Sequence, residues 1–207
     1  MTEQQKIDKG IMLPLMEEFY SIQGEGFHSG KAAYFIRIGG CDVGCNWCDV
    51  KESWDASKHP VTDTDSIIKN TVKYANTVVV TGGEPLESNL DYLTKELHKN
   101  KIQTHLETSG SDTLSGSWDW ICLSPKKQKL PLAPIYKEAD ELKIIIRTKK
   151  DFIFAEEQRC LVRTDCELYM QPEWSVRNKI IPLLTAYIME NPKWKISIQS
   201  HKYLNIP

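Results

Sequence analysis

The sequence has 207 residues, 41% of them hydrophobic, and its 26 basic and 28 acidic residues leave a formal net charge of -2. This composition is typical of one globular domain, and the near-neutral charge argues against nucleic acid or an anionic membrane as a partner. A complete eight-fold β/α barrel needs about 250 residues, so we expect any barrel formed here to lack some units. The polar first ten residues and the absence of a long apolar run predict a cytoplasmic protein without a membrane span.

The predicted elements alternate between strands and helices along the chain. Short apolar runs rich in β-branched residues predict strands at residues 34–38, 77–80, 102–107, 118–123, 142–147, 167–170 and 195–199. Helical periodicity predicts helices over residues 64–75, 88–100, 151–158 and 175–190. Ser88 is predicted to be the N-cap of the second helix, and Pro182 is expected to kink or split the last one.

This alternation predicts an α/β layer architecture in which strands buried on both faces form a parallel sheet. No repeat, low-complexity tract or linker divides the chain, so we expect a single domain over residues 1–207. The proline-containing stretch 124–137 is expected to form an ordered surface loop.

Three of the six cysteines are close together in the segment Cys41-Asp-Val-Gly-Cys45-Asn-Trp-Cys48, directly after the strand at 34–38. A structural zinc site normally has four ligands, and four-iron clusters are usually held by four cysteines. Three thiolates on such a cluster would leave one iron with an open coordination position, where a ligand can bind. The remaining cysteines show no such spacing and are interpreted as core or incidental residues: Cys122, Cys160 and Cys166.

The cysteine spacing resembles that of the radical S-adenosylmethionine (radical SAM) superfamily. A second match is Thr81-Gly82-Gly83-Glu84-Pro85, directly after the strand at 77–80. In that superfamily this segment approaches the methionine part of the cofactor, and glycine permits a close approach of the backbone. The resemblance implies an incomplete, TIM-like β/α barrel with a mostly parallel sheet. It also implies a [4Fe-4S] cluster on Cys41, Cys45 and Cys48, with S-adenosylmethionine at the open iron.

Within the superfamily, the sequence resembles the 7-carboxy-7-deazaguanine synthase family over almost its whole length. The segment Phe19-Tyr-Ser-Ile-Gln-Gly-Glu-Gly26 looks like the substrate entrance of that family, and the end of the chain looks like a terminus whose carboxylate reaches the substrate. Arg37 matches an arginine that binds the substrate carboxylate, a task that suits its planar fork. The resemblance implies substrate contacts from Ile22, Gln23, Gly24, Glu25, Arg37, Thr81 and Pro207.

Further matches occur where loops would gather at the carboxyl ends of parallel strands: Glu107-Thr108-Ser109-Gly110, Ser124-Pro125-Lys126 and Gln171-Pro172. The resemblance implies cofactor contacts from these loops and from the cysteine segment. The implied cofactor-binding residues are Trp47, Cys48, Asp49, Gly83, Glu84, Ser109, Ser124, Pro125, Lys126, Gln171, Pro172, Glu173 and Trp174.

The sequence departs from the family pattern directly after the last cluster cysteine. The family commonly has Cys-Asp-Thr, and the threonine helps to hold a magnesium ion, whereas this chain has Cys48-Asp49-Val50. A valine side chain offers no oxygen to a hard cation. Magnesium is therefore either absent or held by substrate oxygens, water and another side chain.

The resemblance implies a carbon–nitrogen lyase that converts 6-carboxy-5,6,7,8-tetrahydropterin into 7-carboxy-7-deazaguanine and ammonia, within queuosine biosynthesis and tRNA modification. It also implies a homodimer and an external electron donor such as flavodoxin. Two alternatives stay open: a radical SAM activase that places a glycyl radical on a partner protein, and a non-catalytic iron–sulfur or zinc-binding module. A glycyl-radical activase does not need the QGEG segment at residues 23–26. The GGEP segment at residues 82–85 argues against a non-catalytic metal-binding module.

Overall fold

The computed structural model describes residues 1–207, which form a nine-stranded open sheet with helices between the strands. The strands are β1 (Met12–Ile22), β2 (Ala32–Ile38), β3 (Val61–Asp63), β4 (Thr77–Gly82), β5 (Gln103–Thr108), β6 (Trp120–Leu123), β7 (Glu141–Ile146), β8 (Glu167–Pro172) and β9 (Lys195–Ile196). Their order in the sheet is β3-β1-β2-β4-β5-β6-β7-β8-β9. The strands from β2 through β4 to β9 pair in parallel, and β1 is antiparallel to both β2 and β3.

The helices are α1 (Glu3–Asp8), α2 (Thr64–Tyr74), α3 (Asp91–Lys99), α4 (Ile135–Glu138), α5 (Lys150–Arg159), α6 (Arg177–Glu190) and α7 (Ser200–Leu204). Helices α2 to α6 lie in connections between parallel strands, and only the connection from β5 to β6 lacks a helix. The predicted partial β/α barrel with a mostly parallel sheet is therefore confirmed. None of the helices combines the length and the apolar character that a membrane crossing requires.

The two faces of the sheet differ in character because side chains alternate along each strand. In β7, Leu142, Ile144 and Ile146 belong to an apolar core of 30 buried residues. Lys143 and Ile145 point to the opposite face, where they line a cavity. The expectation of strands buried on both faces is thus confirmed for β7, and the buried inner face of this strand carries the polar side chain of Lys143.

The first strand of the sheet is absent from the sequence prediction, which placed 19–26 ahead of the first strand. The structure shows that β1 is 11 residues long and pairs with β2, with a register irregularity between Leu15 and Glu17. Pro14 and the Glu17-Glu18 pair interrupt its apolar alternation. Pairing with β2 therefore determines this strand more than its own pattern does.

One local prediction about a helix end is wrong. Ser88 is not an N-cap: it follows a 3-10 turn that begins at Pro85, its backbone is extended, and α3 begins at Asp91. Of the two outcomes expected at Pro182, a split is not observed, since α6 is continuous from Arg177 to Glu190. Leu90 at the N-cap of α3 and Leu93 and Leu97 within it are fully buried and attach this helix to the core.

Candidate active site

One large cavity of about 410 Å³ opens at the carboxyl ends of the parallel strands. The loops after β2, β4, β5, β6 and β8 supply its walls, together with the segment after β1 and the end of the chain. It brings together every residue that the sequence predicted for cluster, cofactor and substrate binding except Pro125, which is buried in the loop after β6 without lining the cavity.

The three clustered cysteines line the cavity from the loop that follows β2. Cys45 is buried, and Cys41 and Cys48 are partly exposed. Three soft thiolates that converge on one wall of the cavity fit the ligand set of an iron–sulfur cluster.

The GGEP segment supports the cysteine loop through its backbone. The amide of Gly83 donates to the carbonyl of Ile38 at 3.0 Å, and the amide of Glu84 donates to that of Gly40 at 2.7 Å. A Cβ atom on Gly83 would lie 2.2 Å from the Gly40 oxygen and 2.7 Å from Cys41 Cβ. Glycine is therefore required here for packing against the cysteine loop, a reason that the sequence alone did not reveal.

Glu84 is almost completely buried, and both of its carboxylate oxygens already accept hydrogen bonds from the protein. Oε1 accepts from the Leu86 amide at 3.1 Å and from Thr108 Oγ1 at 2.5 Å. Oε2 accepts from the amide and the hydroxyl of Ser109 at 2.7 and 2.6 Å. The side chain thus joins the loops after β4 and β5 at the wall of the cavity.

The inner face of the sheet carries a buried ion network that the sequence did not predict. Lys143 is 3% exposed, and its Nζ lies 2.6 Å from Glu25 Oε2 and 2.9 Å from Glu107 Oε2. Gln23 Nε2 donates to Glu107 Oε1 at 2.8 Å, and Gln199 Nε2 donates to Glu25 Oε1 at 2.9 Å. These contacts fix Gln23 and Glu25, in the segment 19–26, against β5, β7 and the last part of the chain.

The charge on Glu25 is stabilised by this network. Burial alone would raise the pKa of the carboxyl group, but the Lys143 ammonium and the hydrogen bonds from Lys143 and Gln199 lower the pKa to about 2. Because the pKa in the folded chain is below the unfolded value of about 4.3, ionised Glu25 stabilises the fold above that value. This contribution is lost as the pH falls from about 4.3 towards 2.

We therefore expect the unfolding free energy of the wild-type chain to fall between about pH 4.3 and 2 by more than that of a Glu25→Gln variant. Urea unfolding of the full-length chain at a series of pH values measures this difference. A Glu190→Gln variant at an exposed position is the matched control and should keep the wild-type pH dependence. Identical pH profiles for wild type and Glu25→Gln would contradict the assignment.

Arg37 lies on the wall of the cavity with free hydrogen-bond donors. Its Nε donates to Glu17 Oε1 at 2.6 Å, while its two Nη nitrogens make no hydrogen bond to the protein. A guanidinium group with free Nη donors can bind a carboxylate in the plane of its fork. The geometry is therefore compatible with the predicted role in binding a carboxylate.

The end of the chain forms one side of the cavity and contacts two of its loops. Lys202 Nζ lies 2.6 Å from Asp49 Oδ2, next to the last cluster cysteine. The amide of Ser200 donates to the Gly24 carbonyl at 2.9 Å, and a backbone oxygen of Pro207 accepts from Ser21 Oγ at 3.0 Å. The final residues are thus attached both to the cysteine loop and to the segment 19–26.

The loops after β6 and β8 present cationic and aromatic groups to the cavity. Lys126 Nζ donates to the Ser124 carbonyl and hydroxyl at 2.5 and 2.7 Å and lies 5.8 Å from the centre of the Trp47 ring. The Trp174 ring is flanked by Arg177 at 3.8 Å and by Lys202 at 5.1 Å. Such cation–π contacts hold the indole ring at the cavity edge.

Gln171 and Glu173 stabilise the loop after β8. Gln171 is buried and accepts a hydrogen bond from Ser197 Oγ at 2.6 Å. Glu173 accepts from the amide and hydroxyl of Ser175 at 2.9 and 2.6 Å, so it caps the short turn ahead of α6. These two side chains order the end of β8 and the turn that follows it, which place Pro172 and Trp174 on the cavity.

Several lining residues were not predicted as site residues. Glu107 and Thr108 lie inside the motif 107–110, and His201 and Lys202 lie near the end of the chain, which also resembles the family. Their position was the available signal. Lys143 gave no such signal, because it sits in an apolar strand. The other unpredicted lining residues are Phe19, Phe35, Val43, Val50, Trp54, Gly82, Ile145 and Gln199.

The comparison with family models matches residues 35–123 to the radical SAM superfamily. The crystal structure of QueE from Escherichia coli superposes with a TM-score of 0.82 at 27% identity, over 96% of this chain and 98% of that one. A three-cysteine loop after the first parallel strand of a partial β/α barrel, together with this match, defines a radical SAM protein.

Comparison with individual relatives shows to which family of radical SAM proteins the chain belongs. The chain is 60% identical to the 7-carboxy-7-deazaguanine synthase of Flavobacterium psychrophilum over 97% of this chain and 96% of the relative. It is 44% identical to the synthase of Synechocystis sp. over 95% of this chain and 94% of that relative. The chain belongs to the 7-carboxy-7-deazaguanine synthase family.

Proposed function

We propose that this chain is a 7-carboxy-7-deazaguanine synthase that acts on 6-carboxy-5,6,7,8-tetrahydropterin and releases ammonia. The observation that carries the proposal is the cavity, in which the three-cysteine loop shares one chamber with Arg37 and with the Gln23 and Glu25 wall. Its volume of about 410 Å³ is within the usual range of small-molecule sites. We assign the whole chain, residues 1–207, to one radical SAM domain.

The cluster site is assigned to Cys41, Cys45 and Cys48, whose thiolates would hold three irons of a [4Fe-4S] cluster. When bound, the cluster and S-adenosylmethionine supply the radical that takes hydrogen from the substrate. Glu84 and Gly83 hold the cysteine loop in place through the contacts described above. The remaining cofactor contacts are assigned to Trp47, Asp49, Ser109, Ser124, Lys126, Gln171, Pro172, Glu173 and Trp174 on the cavity wall, and to Pro125 by family resemblance alone.

The substrate is positioned by side chains on the inner face of the sheet and around its rim. The free Nη donors of Arg37 are assigned to the substrate carboxylate. Gln23 and Glu25, held by Glu107 and Lys143, offer hydrogen bonds to the polar edge of the pterin ring. Ile22, Gly24, Thr81 and the Pro207 carboxylate complete the assigned substrate contacts.

Anaerobic reconstitution with iron and sulfide, followed by incubation with S-adenosylmethionine, a reductant and the carboxypterin, tests the function. We expect 7-carboxy-7-deazaguanine and ammonia, with S-adenosylmethionine recovered intact. Cofactor cleavage without conversion of the pterin would favour the glycyl-radical activase. A chain that binds iron or zinc and catalyses neither reaction would be a binding module.

Deleting Pro207 is expected to raise the KM for the carboxypterin while leaving reductive cleavage of S-adenosylmethionine unchanged. The deletion removes the group assigned to the substrate and moves the terminal carboxylate by one residue. Steady-state kinetics and a cleavage assay without pterin measure the two effects separately. Equal KM values for the full and shortened chains would remove this role from Pro207.

The location, the oligomeric state, the electron donor and the use of magnesium are proposed from the family. We propose a cytoplasmic homodimer that receives electrons from a small donor such as flavodoxin. A magnesium ion, if used, would take its ligands from substrate oxygens, water and a neighbouring side chain such as Asp49, because Val50 supplies no oxygen. Light scattering tests the dimer, and turnover with and without added magnesium tests the use of the ion.

A further inference from the structure

We infer that one buried water molecule occupies a small cavity and bridges His28 to Glu141. The small cavity lies behind the substrate wall, which is the side of the large cavity that Gln23 and Glu25 form. This second cavity has a volume of about 10 Å³, which is the room that one water molecule requires. Gln23, Glu25 and Glu107 line both this cavity and the reaction cavity. The two spaces therefore share a wall.

Two residues that line this cavity each have a buried polar atom without a hydrogen-bond partner in the protein: His28 Nε2 and Glu141 Oε1. Lys31 Nζ lies 3.0 Å from His28 Nδ1. An ammonium group can only donate, so Nδ1 accepts and the ring proton is on Nε2. The orphaned atom of His28 is thus a donor.

Glu141 supplies the matching group on the other side of the cavity. It is 3% exposed, and its Oε2 accepts from the Phe27 amide at 3.1 Å and from Trp120 Nε1 at 3.3 Å. Only Oε1 remains without a partner. Because buried polar groups are almost always paired with protein or ordered water, two orphans around one small space indicate a bound molecule.

The chemistry of the two atoms selects water. The guest has to accept a hydrogen bond from His28 Nε2, which excludes ammonium and metal cations because they have no lone pair to offer. An apolar guest would leave both atoms unpaired. Water accepts from His28 and donates to Glu141, while the rings of His105 and Trp120, 4.3 and 4.7 Å from the His28 ring centre, hold the imidazole in place.

This water supports the substrate wall from behind, a role that rests on the proposed function. Gln23 Nε2 donates to Glu107 Oε1 at 2.8 Å, and the second cavity is the space into which this pair could retreat. A filled cavity keeps the two side chains forward, towards the reaction cavity. His28 is therefore a positioning residue that acts through the water and through Gln23.

High-resolution crystal structures of the full chain test the water site. In the wild type we expect an ordered water about 2.7–3.2 Å from both His28 Nε2 and Glu141 Oε1. A His28→Phe variant keeps an aromatic ring but loses the donor, so the water should be absent. A Glu141→Gln variant should retain it, because water can accept from both the new amide group and His28.

Well-ordered His28 and Glu141 side chains with no density between them in the wild type would overturn the inference. Loss of the density in Glu141→Gln would also overturn it, since a requirement for the negative charge would identify a cation. Both readouts are independent of turnover, so they hold or fail separately from the proposed function.

Kinetics test the positioning role. We expect His28→Phe to raise the KM for the carboxypterin several-fold and to leave S-adenosylmethionine cleavage without pterin unchanged. An unchanged KM in a variant that has lost the water would contradict the positioning role. A wild-type chain that converts no pterin at all would instead refute the proposed function.

Discussion

Replacing Cys41, Cys45 or Cys48 with alanine, one at a time, is expected to abolish turnover and to lower the iron bound after reconstitution. Each substitution removes one of three thiolates from a site that has no fourth cysteine nearby, and no neighbouring side chain supplies an equivalent soft ligand. Product formation, iron content and the absorbance of the reconstituted cluster measure the effect.

A matched control is available in the same chain. Cys160 is exposed and lies at the end of α5, away from the cavity, so Cys160→Ala should reconstitute and turn over like the wild type. Substantial activity in any of the three cluster variants, with its iron measured, would refute the assignment. Loss of activity in Cys160→Ala would show that the assay responds to thiol loss in general.

Replacing Lys143 with methionine is expected to destabilise the fold by up to about 3 kcal/mol, because the change leaves two partly buried carboxylates without their counter-ion. Glu25 and Glu107 both contact its ammonium group. Any folded enzyme should also lose about 100-fold in kcat/KM, since Glu25 would no longer be held in its position on the substrate wall. Urea unfolding and steady-state kinetics measure the two losses.

An exposed ion pair provides the comparison for Lys143. Lys58 is largely exposed beside Asp55, so Lys58→Met should change the stability by no more than about 1 kcal/mol. Adding Glu25→Gln and Glu107→Gln to Lys143→Met should restore part of the stability, because the unpaired charges are then removed. Equal unfolding free energies for Lys143→Met and Lys58→Met would contradict the expected stabilisation by the Lys143 network.

The positions of the site motifs were predictable because of a simple geometric rule. Each motif follows a strand directly, and parallel strands bring their carboxyl ends to one edge of the sheet. Cys41 after β2, Gly83 at the end of β4 and Ser109 after β5 therefore meet at one cavity without any knowledge of distances. Of the predicted residues, only Pro125 does not line the cavity, because a residue in a loop can be buried in the protein instead of facing the cavity.

The interior of the cavity was less predictable. Lys143 lies one residue before the apolar run 144–146, and a local pattern does not tell which face of a strand is enclosed by the barrel. The local pattern also did not predict β1, because its residues adopt strand geometry through pairing with β2. Ser88 shows a further limit, since the 3-10 turn that starts at Pro85 delays the helix by three residues.

The contacts between the segment 19–26 and the end of the chain have a kinetic consequence. Ser200 bonds to Gly24 and Gln199 bonds to Glu25, pairs that are 176 and 174 residues apart in sequence. Closing so long a loop is entropically costly, so such contacts form late during folding. They also join the end of the chain to the rest of the fold through a few part-buried hydrogen bonds, and chain ends are common sites of local opening. Mild denaturant should therefore release residues 199–207 from the cavity, and with them catalysis, while the leucine and isoleucine core remains folded.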